Sequence, residues 1–355
     1  MSLCSEAIVK GVCFEAVERV ASHDVPDPVI IDQRDAIIRV SLAGLCGSDL
    51  HPYFGRESGL DRGTVMGHEF VGEIVELGSG VGDGFSVGDR VGAPFSTNCG
   101  DCFYCERGLT SRCLDSQLFG WIQDGKGLGG CQSQFVRVPL ADATLMKIPE
   151  TVTDEEALLL GDNLSTGYYC ADLARMEMGG SCAVIGCGTV GLLAIMSAKE
   201  MGADEIFAID LVEERLHVAE SLGAQPVIAE DAPAVIAKAT SNRGVDAVMK
   251  LVGLPMAQQL AYRLIRPGGI MSVIGCHCTN AFAFSPIEAY DKNLTYKTGR
   301  CPARYYMDRL TPDVAAGKYD LRPLITHRFG IDDCVEAYDV FAKRKNGCLK
   351  AVFEF

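Results

Sequence analysis

Ser181-Cys182-Ala183-Val184-Ile185-Gly186-Cys187-Gly188-Thr189-Val190-Gly191 decides the fold of one half of the chain. Its first five residues are an apolar run of strand type. Three glycines at G-x-G-x-x-G spacing follow directly, and the stretch VGLLAIMSAKEMGA (190–203) then has helical spacing. In such a setting the first glycine permits a tight turn, the second lets the backbone approach a pyrophosphate, and the third lets helix and strand pack closely. Thr189, Val190 and Gly191 open the helix, whose unpaired N–H groups and partial positive charge suit phosphate. Further on, EIFAID (205–210), EERLHVAESLGA (213–224), PVIAED (226–231), VDAVMKLVG (245–253), PMAQQLAYRLIRPGG (255–269) and GIMSVIG (269–275) supply more strands and helices. Strands alternating with helices of this length indicate a parallel, doubly wound sheet with right-handed crossovers, a Rossmann dinucleotide-binding domain. Asp210 ends the second strand, where a carboxylate accepts bonds from both hydroxyls of an adenine ribose and repels a 2′-phosphate, so NAD is expected rather than NADP. Arg215, five residues on, is either a partner of the adenosine or a solvated helix arginine.

N-terminal to this half, AIIRVSLAG (36–44), GHEFVGEIVELGSGV (67–81), VGDRVGAP (87–94) and SQFVRVP (133–139) are short β-rich runs broken by glycine. They read as strands of a separate β unit, and the ending CLKAVFEF (348–355) reads as a strand that rejoins it. Two domains suit a chain of 355 residues. A formal charge of -15 repels nucleic acid and anionic membranes alike. No apolar stretch reaches the roughly 18 to 20 residues that cross a bilayer. The first ten residues, with Glu6 and Lys10 among them, lack the layout of a secretory signal, so the expectation is a cytoplasmic protein.

Sixteen cysteines in such a chain point to metal sites and buried thiols more than to disulfides. Cys4, Cys13, Cys131, Cys170, Cys182, Cys276, Cys334 and Cys348 stand alone and read as small buried hydrophobes. Cys99, Cys102, Cys105 and Cys113 stand together as C-x2-C-x2-C-x7-C. Four thiolates this close fold around one Zn²⁺ as a closed tetrahedron, which makes a structural site; the x7 spacing departs from that of iron–sulfur ferredoxins. A catalytic zinc needs three protein ligands and one open position, and Cys46 in GLCGSDLH (44–51) and His68 in GHEFVG (67–72) are candidates for two of them.

These residues resemble the zinc-containing medium-chain alcohol and polyol dehydrogenases. Residues 67–81 fit that family's signature of Gly-His-Glu, two residues, Gly, five residues, a small residue, two residues and a small aliphatic one. The four-cysteine lobe (about 95–115), VGDRV and the glycine turn follow in the family's order, from about residue 36 to the end. The resemblance implies a GroES-like β-barrel catalytic domain over 1–153 and 296–355, with the Rossmann domain, 154–295, inserted. It also implies that the third catalytic ligand precedes Ser165-Thr166-Gly167-Tyr168, where this chain has Asp162 in place of the commoner cysteine. Glu69 is the family's occasional extra ligand or a carboxylate just behind the ligands, and Asp49 holds the far nitrogen of His68.

The activity that the resemblance implies is alcohol oxidation by hydride transfer to NAD, with two zinc ions per subunit. Ser48 takes the substrate proton and passes it by way of His51 to water, with a turn hydroxyl and a surface histidine as the plain alternatives. Within GRCPARYYMDRL (299–310), which resembles bacterial alcohol and formaldehyde-type dehydrogenases, Arg300 is a candidate for the cofactor phosphates. Trp121, Phe95 and Leu118 are cleft-lining candidates or plain core. A polyol or sugar-alcohol dehydrogenase is the alternative activity, a non-catalytic nucleotide-binding protein a more distant one. The expected partner is a small alcohol or carbonyl compound, and the expected assembly a homodimer or homotetramer.

Overall fold

A computed structural model describes residues 8–175, 178–276 and 281–355, so Cys4 and Glu6 lie outside the described residues. The chain divides into two compact units, Met1–Asp162 with Pro302–Phe355, and Asn163–Cys301. Both boundaries fall later than the sequence pattern suggests, for local reasons. The first lies inside one continuous helical stretch, Asp154–Leu159, Leu160–Leu164 and Ser165–Ala174, which carries no break to read. The second follows the strand Thr295–Thr298, which adds to the parallel sheet after the strand–helix alternation has stopped.

In the first unit a seven-stranded sheet is built around Ala36–Gly44. That strand pairs antiparallel with Phe70–Leu77, with Phe135–Val138 and with Lys350–Glu354, so the end of the chain does rejoin its first part. The period-two pattern of the strands decides their faces. Ala36, Ile38 and Val40 turn inward with Phe70, Ile74, Val91 and Val136 to form the core, while Arg39 turns out and pairs with Glu73 at 3.0 Å.

Among its described residues the second unit holds six strands, all paired in parallel, in the spatial order Gln225–Ile228, Glu205–Asp210, Ser181–Ile185, Val245–Lys250, Ile265–Val273, Thr295–Thr298. Numbered within the unit this is 3-2-1-4-5-6, the dinucleotide-binding order, whose reversal beside its first strand opens a crevice at the carboxyl ends of the strands. The glycine turn follows that first strand. Among the described residues no helix is long and apolar enough to cross a membrane.

Candidate active site

Four segments of the first unit converge. Cys46 and Ser48 lie in the loop leaving the strand Ala36–Gly44, and His51 sits in the short helix Leu50–Tyr53. His68 and Glu69 immediately precede the strand Phe70–Leu77. Asp162 is carried by a π-helical turn, Leu160–Leu164, at the end of a helix whose start is fixed by a capping box between Thr153 and Glu156. Such wide turns often mark functional positions, because they rotate one side chain off the regular helical face.

The structure brings Cys46, His68, Glu69 and Asp162 into one cluster whose donor atoms all lie within 4.8 Å of one another. Cys46 Sγ is 3.5 Å from Asp162 Oδ2, and His68 Nε2 is 3.7 Å from the same oxygen. Zinc bonded to sulfur and to nitrogen or oxygen at ordinary lengths sets tetrahedral ligand atoms roughly 3.3 to 3.6 Å apart, so these residues fit a zinc ion. Ser48 Oγ is 3.2 Å from both Cys46 Sγ and His68 Nε2. His51 is buried, against the plain alternative of a surface histidine, and its Nδ1 has no hydrogen-bond partner among the described residues.

The charges carry the same chemical message. Burial, with the carboxylates of Glu69 and Asp162 adding to it, pushes the Cys46 thiol up to about 11. Burial also works against the Asp162 carboxylate, but the hydrogen bond and charge of His68 outweigh it and hold Asp162 down at about 2. His68 in turn is raised well above its ordinary value: burial lowers it, and Asp49, Asp162 and Cys46 together overcome that. A protonated His68 thus stands against the Asp162 carboxylate, and a divalent cation held by these donors would meet the same need while releasing the thiol proton.

In the lobe, Cys99, Cys102, Cys105 and Cys113 also bring their sulfurs within 4.8 Å of one another, and Sγ of Cys99 and Cys113 are 3.4 Å apart. Tetrahedral zinc thiolates stand about 3.8 Å apart, so this group fits a closed zinc site. Backbone N–H groups of Cys105 and Leu114 draw the Cys102 thiol down to about 6, while burial pushes Cys105 up to about 11.

In the second unit Gly186 has φ +97, and a Cβ there would meet Val252 Cγ2 at 2.4 Å; a Cβ on Gly191 would come 1.8 Å from the Gly186 carbonyl oxygen. Gly188, which caps the helix Thr189–Glu200, faces open space bounded by Arg215 Nη1 at 3.6 Å. Asp210 is placed beside this turn and accepts the Cys187 N–H at 2.6 Å, with Leu211 and Val212 donating to its other oxygen. Arg300 is exposed, just after the strand Thr295–Thr298, and two strands lie between that strand and the one that bears the glycine turn.

Three buried residues next to the cluster escape a reading of the sequence. Lys350 pairs with Glu69, and Gln132 and Tyr338 stand behind Asp49. The one usable signal is Lys350, a charge at an inward position of an apolar terminal strand.

Residues 32–150 match the family described as Alcohol dehydrogenase GroES-like domain, and residues 189–310 the family described as Zinc-binding dehydrogenase. Zinc-type alcohol dehydrogenase B of Aspergillus flavus is 36% identical over 353 residues, 97% of this chain and 81% of that one. Sorbitol dehydrogenase of Bacillus subtilis is 31% identical over 341 residues, 94% of this chain and 93% of that one. Among solved structures, alcohol dehydrogenase from Thermus sp. ATN1 superposes with a TM-score of 0.92 at 35% identity, over 98% of this chain and 99% of that one. Matched over most of both lengths, and with the two domain families in order, the chain belongs to the zinc-containing medium-chain alcohol dehydrogenases, zinc-dependent oxidoreductases of alcohols.

Proposed function

We propose that this zinc-dependent alcohol oxidoreductase passes hydride between an alcohol, or its aldehyde or ketone, and NAD, with one catalytic and one structural zinc per chain. The observation that carries this reading is the largely buried cluster of Cys46, His68, Glu69 and Asp162. Cys46, His68 and Asp162 are the three ligands, leaving a fourth position for substrate. The thiolate and the Asp162 carboxylate together balance a divalent charge. Glu69, engaged by Lys350, stands behind them. When bound, zinc supplies a Lewis acid that makes an alcohol hydroxyl more acidic, and nicotinamide supplies the hydride acceptor. Ser48 Oγ accepts the hydroxyl proton as it gives up its own, and His51, held below its ordinary value by burial and therefore neutral near pH 7, takes up the relayed proton and releases it to solvent. In the second unit the first N–H groups of the helix Thr189–Glu200 receive the pyrophosphate, Asp210 the ribose hydroxyls, and Arg215 stands over Gly188.

Zinc content and turnover of Cys46→Ser and Asp162→Ala test the ligand set. Each variant is expected to keep the lobe zinc, lose the other, and stop turning over. Full activity with both zincs retained overturns the assignment. A panel of primary, secondary and polyhydric alcohols with NAD and with NADP tests the rest, and a clear preference for polyols moves the reading to a sorbitol-type enzyme.

A further inference from the structure

A buried run of hydrogen bonds leads away from the candidate zinc ligands. His68 Nδ1 lies 3.2 Å from Asp49 Oδ1. The other Asp49 oxygen accepts the Cys46 backbone N–H at 2.9 Å and the Gln132 side-chain amide at 3.3 Å. The same amide nitrogen donates to the Gly44 carbonyl at 3.1 Å, and Gln132 Oε1 accepts the Tyr338 hydroxyl at 2.9 Å. Gln132 and Tyr338 are both 0% exposed.

The donor directions in this run have one consistent solution. Gln132 Nε2 faces a backbone carbonyl and a carboxylate, neither of which can donate, so the amide cannot be turned round without setting oxygen against oxygen twice. Oε1 must then accept, and Tyr338 must donate. Asp49 is left with one oxygen taken up by Cys46 and Gln132, and the other facing His68 Nδ1. Of the two ring nitrogens, Nδ1 is therefore the one that keeps its proton when a metal is bound, and Nε2 is the one left to face Cys46 and Asp162. Gln132 also touches the His68 segment directly. Gly67 has φ +89, and a Cβ on it would come 2.4 Å from Gln132 Cγ, so the backbone just before His68 lies against the glutamine stem.

We propose that Gln132 and Tyr338 are positioning residues for the catalytic metal, acting through Asp49 to fix the tautomer and ring orientation of His68. Loss of the amide leaves a buried Asp49 oxygen short of a donor and free to rotate away from the imidazole. Tyr338, on the helix Cys334–Lys343, ties this arrangement to the C-terminal part of the chain. The proposal rests on the reading of Cys46, His68 and Asp162 as zinc ligands.

The test is zinc release from the full-length holoenzyme to a colorimetric chelator, with the four-cysteine zinc as the reference inside the same molecule. Gln132→Met is expected to release one zinc about 10-fold faster than the parent and the other at an unchanged rate. Tyr338→Phe, which removes a single oxygen and keeps the ring, should act in the same direction by a smaller factor and covers the case that Gln132→Met does not fold. In an Asp49→Asn background Gln132→Met should add nothing, because its effect runs through Asp49. Parental release rates in Gln132→Met and Tyr338→Phe overturn the proposal, and so does an undiminished Gln132→Met effect in the Asp49→Asn background. A parent enzyme holding only the lobe zinc takes down the ligand reading as well, a result distinct from two zincs with unchanged release.

Discussion

Glu69 and Lys350 form an ion pair closed to water, with side chains 0% and 2% exposed. Lys350 opens the C-terminal strand and Glu69 precedes the strand Phe70–Leu77, so the pair locks the end of the chain to the segment that bears His68. A buried charge deprived of its partner is costly, whereas apolar replacement of both partners is often tolerated. Lys350→Met is therefore expected to lower the unfolding free energy by about 3 to 5 kcal/mol, with most of the loss recovered in Lys350→Met/Glu69→Met. Urea denaturation of the three proteins checks this, and a single variant as stable as its parent refutes it.

The lobe responds separately. Cys113 Sγ accepts the backbone N–H of Cys99 at 3.2 Å and of Asp115 at 3.4 Å, which fits a thiolate in a fixed place. Cys113→Ser is expected to take zinc content from two ions per chain to one and to open residues 98–113 to proteolysis, while the remaining zinc stays with Cys46 and His68. Binding of a structural zinc contributes about 10 kcal/mol or more to folding of its site, so a variant with both zincs and parental protease resistance would exclude a zinc role for the lobe.

Distance along the chain decides how much of this is legible in the sequence. The four lobe cysteines lie within fifteen residues and the three turn glycines within six, so spacing alone announces them. Cys46 and His68 are ambiguous singly, and Asp162 enters only by its place before Ser165-Thr166-Gly167-Tyr168, because the π-helical turn that presents it leaves no mark in composition. Lys350 meets Glu69 across 281 residues and Tyr338 meets Gln132 across 206. Pairings of that reach depend on which strands become neighbours, and a local pattern does not record it.

Asp210 braces the glycine turn through the Cys187 N–H at 2.6 Å. Asp210→Gly removes a negative charge that would oppose a 2′-phosphate, and it also removes the acceptor of three backbone N–H groups. The ratio of kcat/KM for NADP to that for NAD is expected to rise about 10-fold, equivalent to about 1.4 kcal/mol, while affinity for NAD itself falls. Steady-state kinetics with both coenzymes decides it. An unchanged ratio would mean that Asp210 braces the turn and does not select the coenzyme.

Lys250 ends the strand Val245–Lys250 and is 0% exposed, and burial draws its ammonium from the ordinary 10.5 down to about 8. The unfolded chain then holds a proton that the folded chain has released at every pH between those two values, so stability rises with pH through that interval. The penalty for the buried charge is in full force below about 8 and absent above 10.5. Lys250→Met removes it, and the variant is expected to be more stable than its parent at pH 7 by up to about 3 kcal/mol, less whatever the ammonium gains from its own neighbours. That advantage should shrink steadily from pH 8 upward. Denaturant titrations of both proteins at pH 7, 8, 9 and 10 measure it, and a stability difference that does not change with pH would show that Lys250 keeps its ordinary affinity for protons despite its burial.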